Sequence, residues 1–177
     1  MVDPVTLQMV RDVVAIFGVI AGFSYYVITV RNTTKARKTQ LAQHINEEIT
    51  SIEKSLISLE LLEMEWDDYE DYLKKYDSTI NHDNYAKRAL IWGMYNELGV
   101  FLKQNLIDIE TVYDLGGTLR PLLHWNKFKP IILEYRKRYD DPHGYEGLEY
   151  VATEISNERV RRGLSPNIID ADQYTTR

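Results

Sequence analysis

An all-α chain, with one N-terminal transmembrane helix followed by a cytoplasmic multi-helix bundle, is what this sequence predicts. Three observations predict it. Eighteen consecutive residues, Val13 to Val30, carry no charge. Beyond them, apolar residues recur at helical spacing through several segments bounded by capping residues, proline and glycine. No segment shows the two-residue alternation of a half-buried strand. The whole-chain averages conceal this division: 177 residues, a formal charge of −6 and a mean hydropathy of −0.37 describe an ordinary acidic soluble protein. The lack of cysteine excludes a disulfide framework, a thiolate zinc site, an iron–sulfur cluster and a cysteine nucleophile.

Four regions follow: a short N-terminus with a transmembrane helix (1–31), a basic juxtamembrane segment (32–44), a helical cytoplasmic domain (45–163) and a flexible tail (164–177). Asp3 and Pro4 form a helix start, because aspartate caps free N–H groups and proline needs none at the first position. As a helix, Val13 to Val30 rises about 27 Å at roughly 1.5 Å per residue, close to the ~30 Å hydrocarbon thickness of a bilayer. A cleaved signal peptide fits less well, since the leader carries Asp3 and Asp12 against Arg11 and lacks a small-x-small cleavage site.

Orientation follows from the flanks. Arg11 is the one basic residue before the apolar run, whereas Arg31, Lys35, Arg37 and Lys38 follow it within eight residues. The excess of basic residues on that side predicts a single-pass protein of the cell membrane, with its N-terminus outside and its C-terminal domain in the cytoplasm. The same four residues are candidate contacts for anionic lipid headgroups. Gly18 and Gly22 make a small-xxx-small pair inside the run, a spacing that lets two helix backbones approach and makes a homo-oligomer a possible partner state.

In the polar region Ile45, Ile52, Leu59, Trp66 and Leu73 recur every seven residues. Ile49 and Leu56 accompany them at first, and Leu62, Tyr69 and Tyr76 later. The shift of companions predicts one long helix whose buried face rotates. A break between it and the membrane helix, if there is one, is expected at Asn32-Thr33-Thr34, which are weak helix formers. Residues 60–77 hold eight carboxylates against Lys74 and Lys75, a local balance of −6. Their centre, Trp66, Asp67, Asp68, Tyr69, Glu70 and Asp71, is the candidate interaction face for a protein partner. The plainer reading is an amphipathic helix with aromatics inward and carboxylates solvated.

Asn81 to Asn84 supply a turn and cap, and the next helix carries Trp92, Tyr95, Leu98, Phe101 and Leu102. Asp108 caps a short helix, Ile109 to Leu115, stopped by Gly116-Gly117. Two further helices are expected over Leu119 to Trp125 and Phe128 to Tyr139, with Pro130 tolerated if Asn126 caps the second; one helix from Thr118 would instead be kinked at Pro130. A last helix turns Tyr145, Leu148, Ala152 and Ile155 inward and stops at Gly163.

The order of these motifs is familiar. The membrane helix, the basic stretch, Trp66-Asp67-Asp68-Tyr69-Glu70-Asp71, Tyr95-Asn96-Glu97-Leu98-Gly99-Val100, Leu106-Ile107-Asp108, Val112-Tyr113-Asp114 and Trp125 before a proline-bearing helix resemble a family of uncharacterised, N-terminally anchored helical proteins of bacteria and archaea. The resemblance covers most of residues 4–160 and implies an anchor and an all-helical fold. It carries over no catalytic residue.

Chemistry is sparse. The four histidines lie far apart in sequence, no phosphate loop or nucleophile elbow is present, and the basic residues form no stripe suited to nucleic acid. Catalytic, metal and cofactor sites are therefore not assigned. The leading reading is a membrane-tethered cytoplasmic module that binds another protein, with membrane lipids as its other partner. The alternative is a ligand sensor or enzyme with an interhelical pocket near Trp92, Tyr95, Glu97 and Trp125.

Overall fold

The computed structural model describes residues 4–114 and 119–167. Seven helices and no strand occur among them: α1 Pro4–Thr50, α2 Ile52–Leu62, α3 Tyr69–Tyr76, α4 His82–Lys103, α5 Ile109–Asp114, α6 Leu119–Arg138 and α7 Glu146–Arg161. Asp3, Gly116, Gly117 and most of the expected tail lie outside the described residues. The chain divides into two compact units between Gln40 and Leu41.

The first unit contains the greater part of α1. Here Val13 to Val30 are exposed apart from the half-buried Val27, and the helix begins at the expected Pro4. No break occurs at Asn32-Thr33-Thr34. The hydroxyls of Thr33, Thr34 and Thr39 donate to the carbonyls of Thr29, Val30 and Lys35 at 2.9, 2.9 and 3.1 Å. Their hydroxyls are thus satisfied on the helix itself and need no outside partner. Around Gly18 and Gly22 a Cβ would meet nothing within 4 Å.

In the second unit the long rotating helix expected over 45–76 is divided twice. Thr50 ends α1, and Ser51, with ψ 137°, turns the chain before its hydroxyl accepts from the Lys54 N–H at 3.2 Å to cap α2. Ile45 and Ile49 are buried before that turn, but Ile52 and Leu56 are 80% and 62% exposed after it, and α2 buries Ser58 and Leu61 instead. The seven-residue repeat therefore does not mark one continuous buried face. A second interruption runs from Glu63 to Asp68, and Asp68 caps α3 by accepting from the Asp71 N–H at 2.8 Å.

The later helices follow local chemistry more closely. Asn81 accepts from the Asn84 N–H at 3.0 Å to start α4, and Asp108 accepts from the Thr111 N–H at 2.7 Å to start α5. The two helices expected between Leu119 and Tyr139 are one, α6, with Pro130 inside it. Gly163, at φ +75°, closes the chain after α7, a left-handed conformation that costs glycine little.

The most extensive helix pair is α4 with α7. It depends on two glycines facing each other. A Cβ on Gly99 would lie 1.8 Å from the Gly147 carbonyl oxygen, and one on Gly147 would lie 2.1 Å from the carbonyl oxygen of Asn96. Close backbone approach lets the Asn96 side-chain oxygen accept from the Gly147 N–H at 2.8 Å. Around this crossing, Phe128 of α6 stacks on Trp66 at 5.3 Å between ring centres and meets Trp92 edge-on at 4.9 Å. These aromatic contacts join α4, α6 and the segment before α3 in one core.

Candidate functional site

The segment Trp66 to Asp71 combines exposed charge with buried aromatic surface. Trp66 lies before α3, not on it, and is half-buried against Phe128. Tyr69 is also half-buried, with the Arg138 guanidinium 4.4 Å from its ring centre. Asp67, Asp68 and Glu70 are exposed. Rings turn inward and carboxylates outward as expected, but not along the single amphipathic helix expected, because Trp66 precedes α3.

Several of these carboxylates serve local structure. Asp68 is the cap of α3, and Asp71 accepts from both the Asp67 N–H at 3.1 Å and Lys75 Nζ at 2.7 Å. The Lys75 hydrogen bond, followed by the Asp67 N–H, holds the Asp71 carboxyl below the usual carboxylate range. Glu70 pairs with Arg138, which also bonds Glu134 at 3.1 Å. The acidic window thus ties α3 to α6.

Beside it opens a cleft of about 500 Å³ lined by Met64, Glu65, Trp66, Asp67, Lys75 and Lys127. Lys127 Nζ stands 5.1 Å from the Trp66 ring centre. The lining is an indole flanked by two acidic and two basic side chains. Among the described residues, no group of three histidine or carboxylate side chains is arranged to hold a metal ion.

Trp92, Tyr95, Glu97 and Trp125 do not frame an interhelical pocket. Trp92, Tyr95 and Trp125 are buried in the packed core, whereas Glu97 is exposed. The helical period explains this: Tyr95 follows Trp92 by nearly one turn and shares its face, while Glu97, five residues on, projects from another. Glu97 instead borders a separate groove of about 310 Å³, with Ile45, Ile49, Leu90, Met94 and Phe101 along it. Gly93 also lines this groove, and a Cβ there would meet nothing within 4 Å. Asp114, at the end of α5, pairs with Arg162 at 3.1 Å.

Sequence reasoning missed two buried polar assemblies. In one, Ser58 Oγ lies 2.8 Å from His124 Nε2, with the Tyr95 ring centre 5.4 Å from the imidazole. Burial pushes the His124 pKa down to about 3 and the Tyr95 phenol up to about 12. All three side chains are closed from solvent, so the cluster is a neutral polar inclusion in the core. In the other, buried Arg88 bonds the Tyr72 hydroxyl, the Tyr76 carbonyl and Asn84 Oδ1. The rings of Tyr72 and Trp92 lie 5.1 and 5.5 Å from its guanidinium carbon. The placement of Arg88 three residues after Tyr85 and four before Trp92 was the available signal, because that spacing sets a cation on an aromatic face.

No curated protein and no solved structure matches the chain. A family model described as Domain of unknown function (DUF4760) matches residues 11–155, from two residues before the apolar run into the final helix. With most of its length covered by that model, the chain belongs to the DUF4760 family.

Proposed function

We propose that this protein is a membrane-tethered helical module that holds a protein-binding face at the cytoplasmic side of the cell membrane. One observation carries the reading: α1 is long and apolar enough to cross a bilayer, and its most apolar 18-residue window is 0% buried within the chain. In water such a surface would be a large unpartnered apolar area, whereas in hydrocarbon it requires no partner. The family match includes the run, so the apolar helix belongs to the family's unit together with the helices that follow.

Orientation rests on the four basic residues after Val30 against one before Val13. The protein-binding face is the mixed-charge cleft around Trp66, Asp67 and Lys75. Gly18 and Gly22 offer a face through which two copies could pair in the bilayer, and Gly22→Leu is expected to abolish crosslinked dimers in membranes if they do.

The deciding experiment fractionates cells expressing the full chain with a C-terminal tag. The protein is expected in the membrane pellet after alkaline carbonate extraction, released by detergent, with its tag protected from protease outside the cell. Val19→Asp combined with Ile20→Lys should move it to the soluble fraction. A wild-type chain that remains soluble without detergent would overturn the anchor, and a tag digested in intact cells would overturn the orientation.

A further inference from the structure

Residues 13–46, between Asp12 and Glu47, contain no carboxylate. Within them lie Arg31, Lys35, Arg37 and Lys38, all exposed on α1 and none in an ion pair among the described residues. The helix remains unbroken through this stretch, which fixes the relative positions of the cations. Arg31, Lys35 and Lys38 occupy positions i, i+4 and i+7 and form one stripe, while Arg37 projects from another side. From Arg31 to Lys38 the axial rise is about 10 Å at roughly 1.5 Å per residue. It begins immediately after Val30, where the apolar run ends. A bilayer has a polar layer of about 5–8 Å on each side of its hydrocarbon core, so the stripe covers the depth at which lipid phosphates reside.

From this juxtaposition we infer that Arg31, Lys35, Arg37 and Lys38 form a collar that binds the headgroups of anionic phospholipids, selecting them over neutral ones. The inference rests on the membrane reading above and adds a lipid class to it. Charge complementarity identifies the occupant: four cations on a helix with no local carboxylate face a layer whose distinguishing group is a net negative phosphodiester. The nearby threonine hydroxyls do not compete for that role, because Thr33, Thr34 and Thr39 already donate to the helix's own carbonyls. Tyr25 and Tyr26 are exposed about one turn before Val30, where their phenols reach the same interface.

The test uses the full chain purified in a nonionic detergent. Native mass spectrometry with equimolar phosphatidylglycerol and phosphatidylcholine should show an anionic-lipid preference of about tenfold. In the variant R31Q/K35Q/R37Q/K38Q that preference should fall below about twofold, with helicity by circular dichroism unchanged. A preference that is absent from the wild-type chain, or retained by the variant, would overturn the collar. Flotation of the wild-type chain with pure phosphatidylcholine vesicles, resistant to alkaline carbonate, reports the anchor separately. Flotation without lipid preference would refute the collar alone. Lipid preference without carbonate-resistant flotation would refute the anchor and leave the collar as a surface contact.

Discussion

Phe23 in the first unit is 68% exposed, while Phe128 in the second is fully buried among Trp66, Trp92 and His124. The same side chain thus meets two opposite environments in one chain. Around Phe23 the backbone satisfies its own hydrogen bonds and the apolar surface faces outward. Around Phe128, helices bring apolar side chains together and accept a few buried polar groups to complete the packing. Local helicity is therefore common to both units, while burial is not: in one the apolar side chains stay exposed along a helix, and in the other they are packed together away from water.

The comparison can be broken most forcefully at the α4–α7 crossing. Gly99→Ala puts a methyl against the Gly147 carbonyl, and a destabilisation above about 4 kcal/mol is expected. All three tryptophans, Trp66, Trp92 and Trp125, lie in the second unit, so their fluorescence reports its unfolding without interference from the first. Phe128→Ala should cost about 3–5 kcal/mol in the same denaturation experiment, through lost burial and a residual cavity.

The buried histidine gives the next effect. His124 has its pKa lowered from 6.5 to about 3, chiefly by burial, with Arg120 and Lys127 adding repulsion. Between those values the unfolded chain binds a proton that the folded chain does not, so stability falls as pH falls. The slope approaches about 1.4 kcal/mol per pH unit well below pH 6.5 and amounts to about 1.6 kcal/mol between pH 6.5 and 5. His124→Gln should flatten that part of the stability profile relative to wild type. An unchanged slope would remove His124 as the source of the acid lability.

Smaller still is Asn81→Ala, which deletes the α4 cap and should cost about 1 kcal/mol. At the end of the series, Phe23→Ala should shift the second unit's stability by less than about 0.5 kcal/mol in detergent. A loss there comparable with that of Phe128→Ala would show that the outward apolar face supports the helical domain directly.

The elements legible in the sequence were those set by neighbouring residues. Asn81, Asp108 and Gly163 each mark a helix boundary through a local bond or a left-handed turn, and all three boundaries occur where expected. The division at Ser51 was hidden because the apolar repeat continues through it, and no glycine or proline stands near Glu63 to announce the second interruption. Pro130 left two readings open, a first-turn proline after an Asn126 cap or an interior proline in one helix, and it sits inside the single helix α6, beside the buried Phe128, Ile131 and Ile132.

The candidate site was legible to the same extent. Inward aromatics and outward carboxylates at Trp66–Asp71 follow from residue character, but their cleft requires Lys127 from α6. Likewise, Ser58 and His124 are 66 positions apart, and no local pattern identifies their pairing. The rejected pocket failed at Glu97 because nearness in sequence to Trp92 and Tyr95 does not give a helix residue the same direction.

Gly93 gives this architecture an experimental handle. It is an exposed position inside a helix, its missing side chain would point into open space, and the chain has no native cysteine. Gly93→Cys would therefore create one addressable thiol in an otherwise thiol-free molecule, with little cost to the helix. A photo-crosslinker or spectroscopic dye attached there would sit at the groove beside Glu97 and report on its surroundings in the full chain.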